Sequence, residues 1–194
     1  MDIQETIKRC QQGEKEAFQE LLQTVEKKAL ATAYFLSGNR GIAEDILQET
    51  YMKCFMEINK LKDPRAFNTW FFKILVRTGW KMSKKQSILI PMEITSQNED
   101  LFCDVNQGRK NAIDTYETKH IMQNAINNLS KNLKTVVILY YYNDMSIEEI
   151  SKVTGCFKAT VKSRLFYARA ALKKQLETGF ELENNLVEIK CKGV

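Results

Sequence analysis

Proline occurs only twice and glycine eight times in 194 residues. Breakers are too sparse for many short strands and tight turns, so long helices are expected. Histidine occurs once, at His120, and none of the five cysteines (Cys10, Cys54, Cys103, Cys156, Cys191) stands at metal-ligand spacing from another. No zinc pattern follows, and no metal or other cofactor is expected. A single histidine in so basic a context gives no support for a serine-histidine-acid set, and no glycine-rich phosphate loop is present, so no enzymatic chemistry is expected. No apolar run approaches the roughly 18 residues of a membrane span. The start, Met1-Asp2-Ile3-Gln4-Glu5, is acidic and polar, unlike a signal peptide. The expectation is a cytoplasmic protein with reduced thiols and no membrane insertion.

What is present is basic charge, and it is clustered. The formal net charge is +5. Lys60, Lys62, Arg65, Lys73, Arg77, Lys81, Lys84 and Lys85 are opposed only by Asp63 over that stretch. Lys158, Lys162, Arg164, Arg169, Lys173 and Lys174 follow one another with no acid between. The stretch between these segments is acidic, with Glu93, Glu99, Asp100, Asp104, Asp114 and Glu117 against Arg109 and Lys110. Two basic segments suit a polyanionic partner; solvated helix faces are the plainer alternative.

Apolar spacing of three and four predicts helices over 2–12, 15–37 and 42–58. Asp63-Pro64 then starts a helix over 65–82, rich in aromatics (Phe67, Trp70, Phe71, Phe72, Trp80), with Trp70 expected in the core. Residues 86–115 show no sustained period and contain Pro91, Asn98, Asn106 and Gly108. A loop that long is unusual inside a compact domain and reads as a linker. Helices resume over 116–127 and over 131–143, the latter capped by Ser130. Ser146-Ile147-Glu148-Glu149 fits a capping box, and Thr154-Gly155 ends that helix. A last helix runs from Lys158 to about Glu177, stopped by Gly179, with 178–194 as a tail.

Residues 146–172 form the clearest pattern: a short helix, a glycine turn and a longer basic helix, as in a helix-turn-helix. Ile147, Ile150 and Val153 make one apolar face; Val161, Leu165, Ala168 and Leu172 make the other. Packing these faces together leaves Lys158, Lys162, Ser163, Phe166 and Arg169 outward, where a helix in the major groove meets base edges and phosphates.

The run "LSKNLKTVVILYYYNDMSIEEISKVTGCFKATVKSRLFYARAALKKQL" resembles region 4 of the sigma-70 family, especially its extracytoplasmic-function (ECF) branch. Thr160-Val161-Lys162-Ser163-Arg164-Leu165 matches the "TVKSRL" core of that pattern. The resemblance adds Thr160 and Arg164 to the expected −35 DNA contacts. In the first half, "AEDILQETYMKCF" resembles the region 2 helix that grips RNA polymerase. Asp45, Gln48 and Glu49 share one face of that helix, and the resemblance implies docking on the clamp helices of the largest polymerase subunit. "AFNTWFFKILVRTGWKMSK" resembles the promoter-melting helix. Aromatic and basic residues can stack on unpaired bases and hold their backbone. The implied −10 contacts are Lys62, Arg65, Lys73, Arg77, Lys81 and Lys84. Arg77-Thr78, Trp80-Lys81, Ala159 and Tyr167 depart from the usual pattern.

The expected fold class is all-α: region 2 over 1–85, a linker over 86–115, region 4 over 116–177 and the tail. Promoter elements near −10 and −35 lie about 60 Å apart, and some 30 extended residues span up to about 100 Å, so the tether is long enough. The resemblance implies core RNA polymerase (clamp helices and flap), promoter DNA and an anti-sigma factor as partners. It also runs the linker through the polymerase, where the acidic linker residues would suit a basic channel. An operator-binding helix-turn-helix regulator that never enters the polymerase, and a decoy for an anti-sigma factor, remain open at this point.

Overall fold

A computed structural model describes residues 2–86 and 122–192, with side chains over 2–83 and 122–177. Residues 87–121, with His120, Cys103 and the acidic stretch, lie outside the described residues, as do the Lys84 side chain and the side chains of the tail. The described residues are helical throughout apart from turns.

In the first half, α1 (Ile3–Gln11) starts where the Asp2 carboxylate accepts from the Gln4 amide at 2.9 Å. The single helix expected over 15–37 is two, α2 (Lys15–Gln23) and α3 (Glu26–Ser37). Thr24 and Val25, both β-branched, sit at the break, and the Thr24 hydroxyl donates to the Leu21 carbonyl at 2.6 Å. Such back-bonding gives the chain a local alternative to the helix ladder. Gly38 then takes a left-handed conformation (φ 73°) to close α3, and Asn39 caps α4 (Arg40–Glu57) through the Ile42 amide.

Asp63 caps a short 3-10 turn, Pro64–Ala66, which leads into α5 (Phe67–Gln86). Phe67, Phe71, Phe72, Leu75 and Val76 of α5 are buried against Ile7, Leu21, Ile46 and Cys54. Trp70, expected in the core, is only half-buried at its edge. α5 crosses α3 closely at Gly79, where an added Cβ would come within 3.1 Å of Leu36 Cδ1.

The second half begins with helical residues 122–127 and α6 (Lys131–Val137). Ser130 occupies the cap position of α6 without a side-chain capping bond. The helix expected to run on to 143 widens instead into a π turn, Ile138–Tyr142, in which the Asn143 amide bonds the Ile138 carbonyl at 3.1 Å. α7 (Ile147–Thr154) has the full capping box between Ser146 and Glu149 and closes at left-handed Gly155 (φ 70°). α8 (Lys158–Lys192) does not stop at Gly179. One glycine costs a helix only about 1 kcal/mol relative to alanine, too little to end one made of good formers on both sides.

The two halves are packed together. Val136, Leu139, Met145, Ile150 and Val153 are buried in the same apolar cluster as the first-half core, with α7 against α5. Polar contacts cross the seam. The Trp80 indole donates to Thr135 Oγ1 at 3.2 Å, and buried Asn143 donates to buried Thr32 Oγ1 at 2.9 Å. Gln123 reaches the Tyr34 hydroxyl at 3.1 Å, and Lys28 pairs with Asp144 at 2.9 Å.

Candidate nucleic-acid interface

Three surfaces gather the residues singled out in the sequence. The first is on α4. Ile46, Leu47, Thr50 and Cys54 are buried, which turns Asp45 and Gln48 to solvent. Glu49 is half-buried and paired with Lys53 at 3.0 Å. Lys53 also donates to buried Thr78 on α5 at 3.0 Å, so one ammonium ties this face to the neighbouring helix. Met52 and Met56 continue the Asp45–Gln48 side by steps of four and are exposed, as is Phe55. The face is therefore acidic at one end and apolar at the other. Burial pushes the Cys54 thiol up to about 12, so beneath this surface it is an inert packing group.

The second surface runs along α5. Lys73, Arg77 and Lys81 recur every four residues and form one ridge. Arg77 and Lys81 are exposed, while Lys73 is half-buried. Lys84 follows three residues after Lys81 on the same helix. At the helix start Lys62 is exposed, but Arg65 is held by the Asp63 carboxylate at 3.0 and 3.1 Å. Those hydrogen bonds keep the Asp63 carboxyl below the ordinary carboxylate range. Phe67, Phe71 and Phe72 serve the core and cannot stack on bases.

The third surface is the helix-turn-helix. Ile150, Val153, Val161 and Leu165 are buried in one cluster, which fixes the angle of the two helices, whereas Ala168 and Leu172, expected on the same face, pack instead with Leu129, Leu133 and Val137. Several candidate contacts on α8 are tied down. Lys158 bonds Glu148 at 2.8 Å across the turn, and this contact, together with Lys152, depresses the Glu148 carboxyl. Arg164 is half-buried with Nη1 3.6 Å from Cys156 Sγ. Ser163 donates to the Ala159 carbonyl, and Thr160 is half-buried. Lys162 and Phe166 are exposed, and Phe166 meets exposed Tyr167 edge-to-face at 5.6 Å. Arg169 donates from Nε to the Tyr141 hydroxyl at 2.7 Å.

Sequence reasoning missed Lys53, Glu148, Tyr141 and the α4 methionines. The Glu49–Lys53 spacing was a readable signal; the Lys158 and Arg169 partners, 10 and 28 residues away, gave none. Among the described residues no cluster of three or more histidine, cysteine or acidic side chains could hold a metal, and no helix is long and apolar enough to cross a membrane.

Residues 16–87 match the family pattern for sigma-70 region 2, and residues 119–172 match that for sigma-70 region 4. The RNA polymerase sigma factor SigV of Bacillus subtilis is 30% identical over 144 residues, covering 74% of this chain and 81% of SigV. The chain is a member of the sigma-70 family. Its ECF character is equally plain. The ECF sigma-E factor of Haemophilus influenzae is 29% identical, covering 90% of this chain and 95% of that protein. The ECF sigma factor SigW of Bacillus subtilis is 26% identical, covering 91% and 97%. The solved structure of CnrH, in complex with the cytosolic domain of CnrY, shares the fold at TM-score 0.66 and 18% identity, covering 89% of this chain and 96% of CnrH. The sigma factor RpoE of Bartonella quintana, solved with the anti-sigma factor NepR, shares it at TM-score 0.65 and 24% identity, covering 82% and 96%. As an ECF sigma factor, the chain directs RNA polymerase to promoters, and both sigma regions are helical as the sequence led one to expect.

Proposed function

We propose that this sigma factor grips the largest polymerase subunit through the α4 face of Asp45, Gln48 and Glu49, extended by Met52 and Met56. Single-stranded −10 DNA is held along the α5 ridge of Lys62, Arg65, Lys73, Arg77, Lys81 and Lys84. The −35 duplex is read by α8 through Lys158, Thr160, Lys162, Ser163, Arg164, Phe166 and Arg169. The observation that carries this reading is the exposure of all three surfaces on one chain of the family, each anchored by a buried face of its own helix. An acidic and amide patch suits arginines on a coiled coil, and a basic ridge suits an unpaired phosphate backbone.

Reading both elements has a geometric condition. They lie about 60 Å apart, whereas α7 is packed on α5. The halves therefore part on the promoter, with residues 86–115 as the tether and 1–85 and 116–177 as the separating domains. In the polymerase, region 4 rests on the flap while the tether follows the interior channels. The protein works in the cytoplasm, and an anti-sigma factor is its natural regulator, in keeping with the structure of RpoE in complex with the anti-sigma factor NepR.

The test is run-off transcription from genomic fragments with core polymerase. The wild-type chain directs initiation at defined promoters. Asp45→Ala/Gln48→Ala/Glu49→Ala lowers core binding by roughly 100-fold or more, the scale of losing a central polar anchor, with an unchanged melting temperature. A chain that binds operators alone and ignores core polymerase would sink the proposal.

A further inference from the structure

Arg169 is held in an unusual way. Its Nε donates to the Tyr141 hydroxyl at 2.7 Å, and its guanidinium carbon lies 5.8 Å from the Tyr141 ring centroid and 5.9 Å from that of Tyr140. The two rings meet edge-to-face at 4.9 Å and form a corner in which the guanidinium sits. Tyr141 belongs to the π turn after α6, not to the recognition helix, so the contact joins two elements.

The chemistry of the partner matters. Lys158, on the same flank of α8, is paired with the carboxylate of Glu148, which offsets its charge. Arg169 is fixed by a hydroxyl and two aromatic rings, which orient the guanidinium and leave its charge uncancelled. Only Nε is used in the described hydrogen bonds, so both terminal amino groups keep their fork geometry for an oxyanion. Around it, Lys162, Phe166 and Lys173 extend the flank at helical spacing, and all are exposed. A phosphate approaching this flank meets one guanidinium already aimed at it, without the loss of side-chain freedom that a loose arginine suffers.

We propose that Tyr141 is a positioning residue for promoter DNA: its hydroxyl aims Arg169 at a backbone phosphate beside the −35 element. The inference rests on the sigma reading above. It adds a residue outside the recognition helix and gives Arg169 the role of a phosphate clamp in place of a base reader. Its effect is therefore the same at every −35 sequence.

The experiment uses holoenzyme assembled from core polymerase and full-length chain, with promoter affinity followed against salt. Assembly is scored first, by gel filtration. Failure of the wild-type chain to assemble overturns the sigma reading and this inference with it. Given assembly, Arg169→Ala flattens the slope of log affinity against log salt by about 1, the contribution of one phosphate contact. Tyr141→Phe, which keeps the ring and removes only the acceptor, weakens binding roughly fivefold, the scale of one hydrogen bond. It has no further effect in the Arg169→Ala chain. Tyr141 is more than half exposed, so melting temperature should not move. Wild-type affinity in Tyr141→Phe, an equal loss in the Arg169→Ala background, or an unchanged salt slope in Arg169→Ala would each overturn the proposal.

Discussion

The two halves of the molecule are stabilised differently. The first builds its own interior: Phe67, Phe71 and Phe72 fill the space between helices, and caps at Asp2, Asn39 and Asp63 set the helix starts. Among the described residues the second has only a small cluster of its own, Leu129, Val137 and Ala168 with Leu133, Ala171 and Leu172 around them. Most of its buried apolar residues complete the first half's core. The functional side chains are arranged the opposite way. On α5, Arg77 and Lys81 stand exposed on a solid base, whereas on α8 Lys158, Arg164 and Arg169 are each held by a neighbour. A surface for single-stranded DNA of variable path tolerates loose cations. A helix that must sit in one register on a duplex gains from fixed ones.

Truncating each core should separate the halves by effect. Phe71→Ala removes a fully buried ring and should cost about 3–5 kcal/mol. Because the second half leans on that core, both halves should lose amide-exchange protection together. Val161→Ala, on the helix-turn-helix side, should cost about 1–3 kcal/mol and loosen the second half alone. Equal loosening of both halves by Val161→Ala would remove the asymmetry.

The seam comes next. Asn143 donates to Thr32, but its own carbonyl oxygen is buried with no partner among the described residues. A half-satisfied buried amide lowers the worth of docking, which suits a seam that has to open. Asn143→Ala should therefore cost only about 1 kcal/mol, read as faster exchange in α6 and α7 with α1 to α4 unchanged. A cost several times larger would make the seam a permanent interface.

The smallest effect belongs to the α7 cap. Ser146→Ala should cost about 1 kcal/mol. Hydrogen bonds from the Ser146 side chain and backbone hold the Glu149 carboxyl below its ordinary 4.5. Its contribution is thus fully present above that pH and is lost as pH falls through the lowered value. Melting temperatures of Ser146→Ala and wild type should converge as the solution is acidified well below the ordinary carboxyl value of 4.5. A gap that does not shrink would show that the carboxylate takes no part in the cap.

The elements of both halves were legible because their signals are local. Asp63-Pro64, the Ser146–Glu149 box and Gly155 mark helix ends within a few residues. The helix-turn-helix faces were legible for the same reason: Ile150, Val153, Val161 and Leu165 repeat at helical spacing and are buried. What was not legible depends on partners distant in the chain. The break at Thr24-Val25 interrupts no apolar period, and the π turn changes the backbone without changing composition. Docking of the halves rests on Asn143–Thr32 and Trp80–Thr135, pairs 111 and 55 residues apart. The Arg169 partner is hidden similarly, since a tyrosine on a turn carries no charge pattern to pair with.

The central claim is that one chain reads two promoter elements by parting halves that are otherwise packed together. Distance labels at exposed Asn68 on α5 and exposed Lys152 on α7 test it directly, measured by electron spin resonance in the free chain and in promoter-bound holoenzyme. The account predicts the short separation of neighbouring helices in the free chain and a separation of roughly 60 Å on the promoter. The same short distance in both states would contradict it, because the halves would then meet DNA as a single unit.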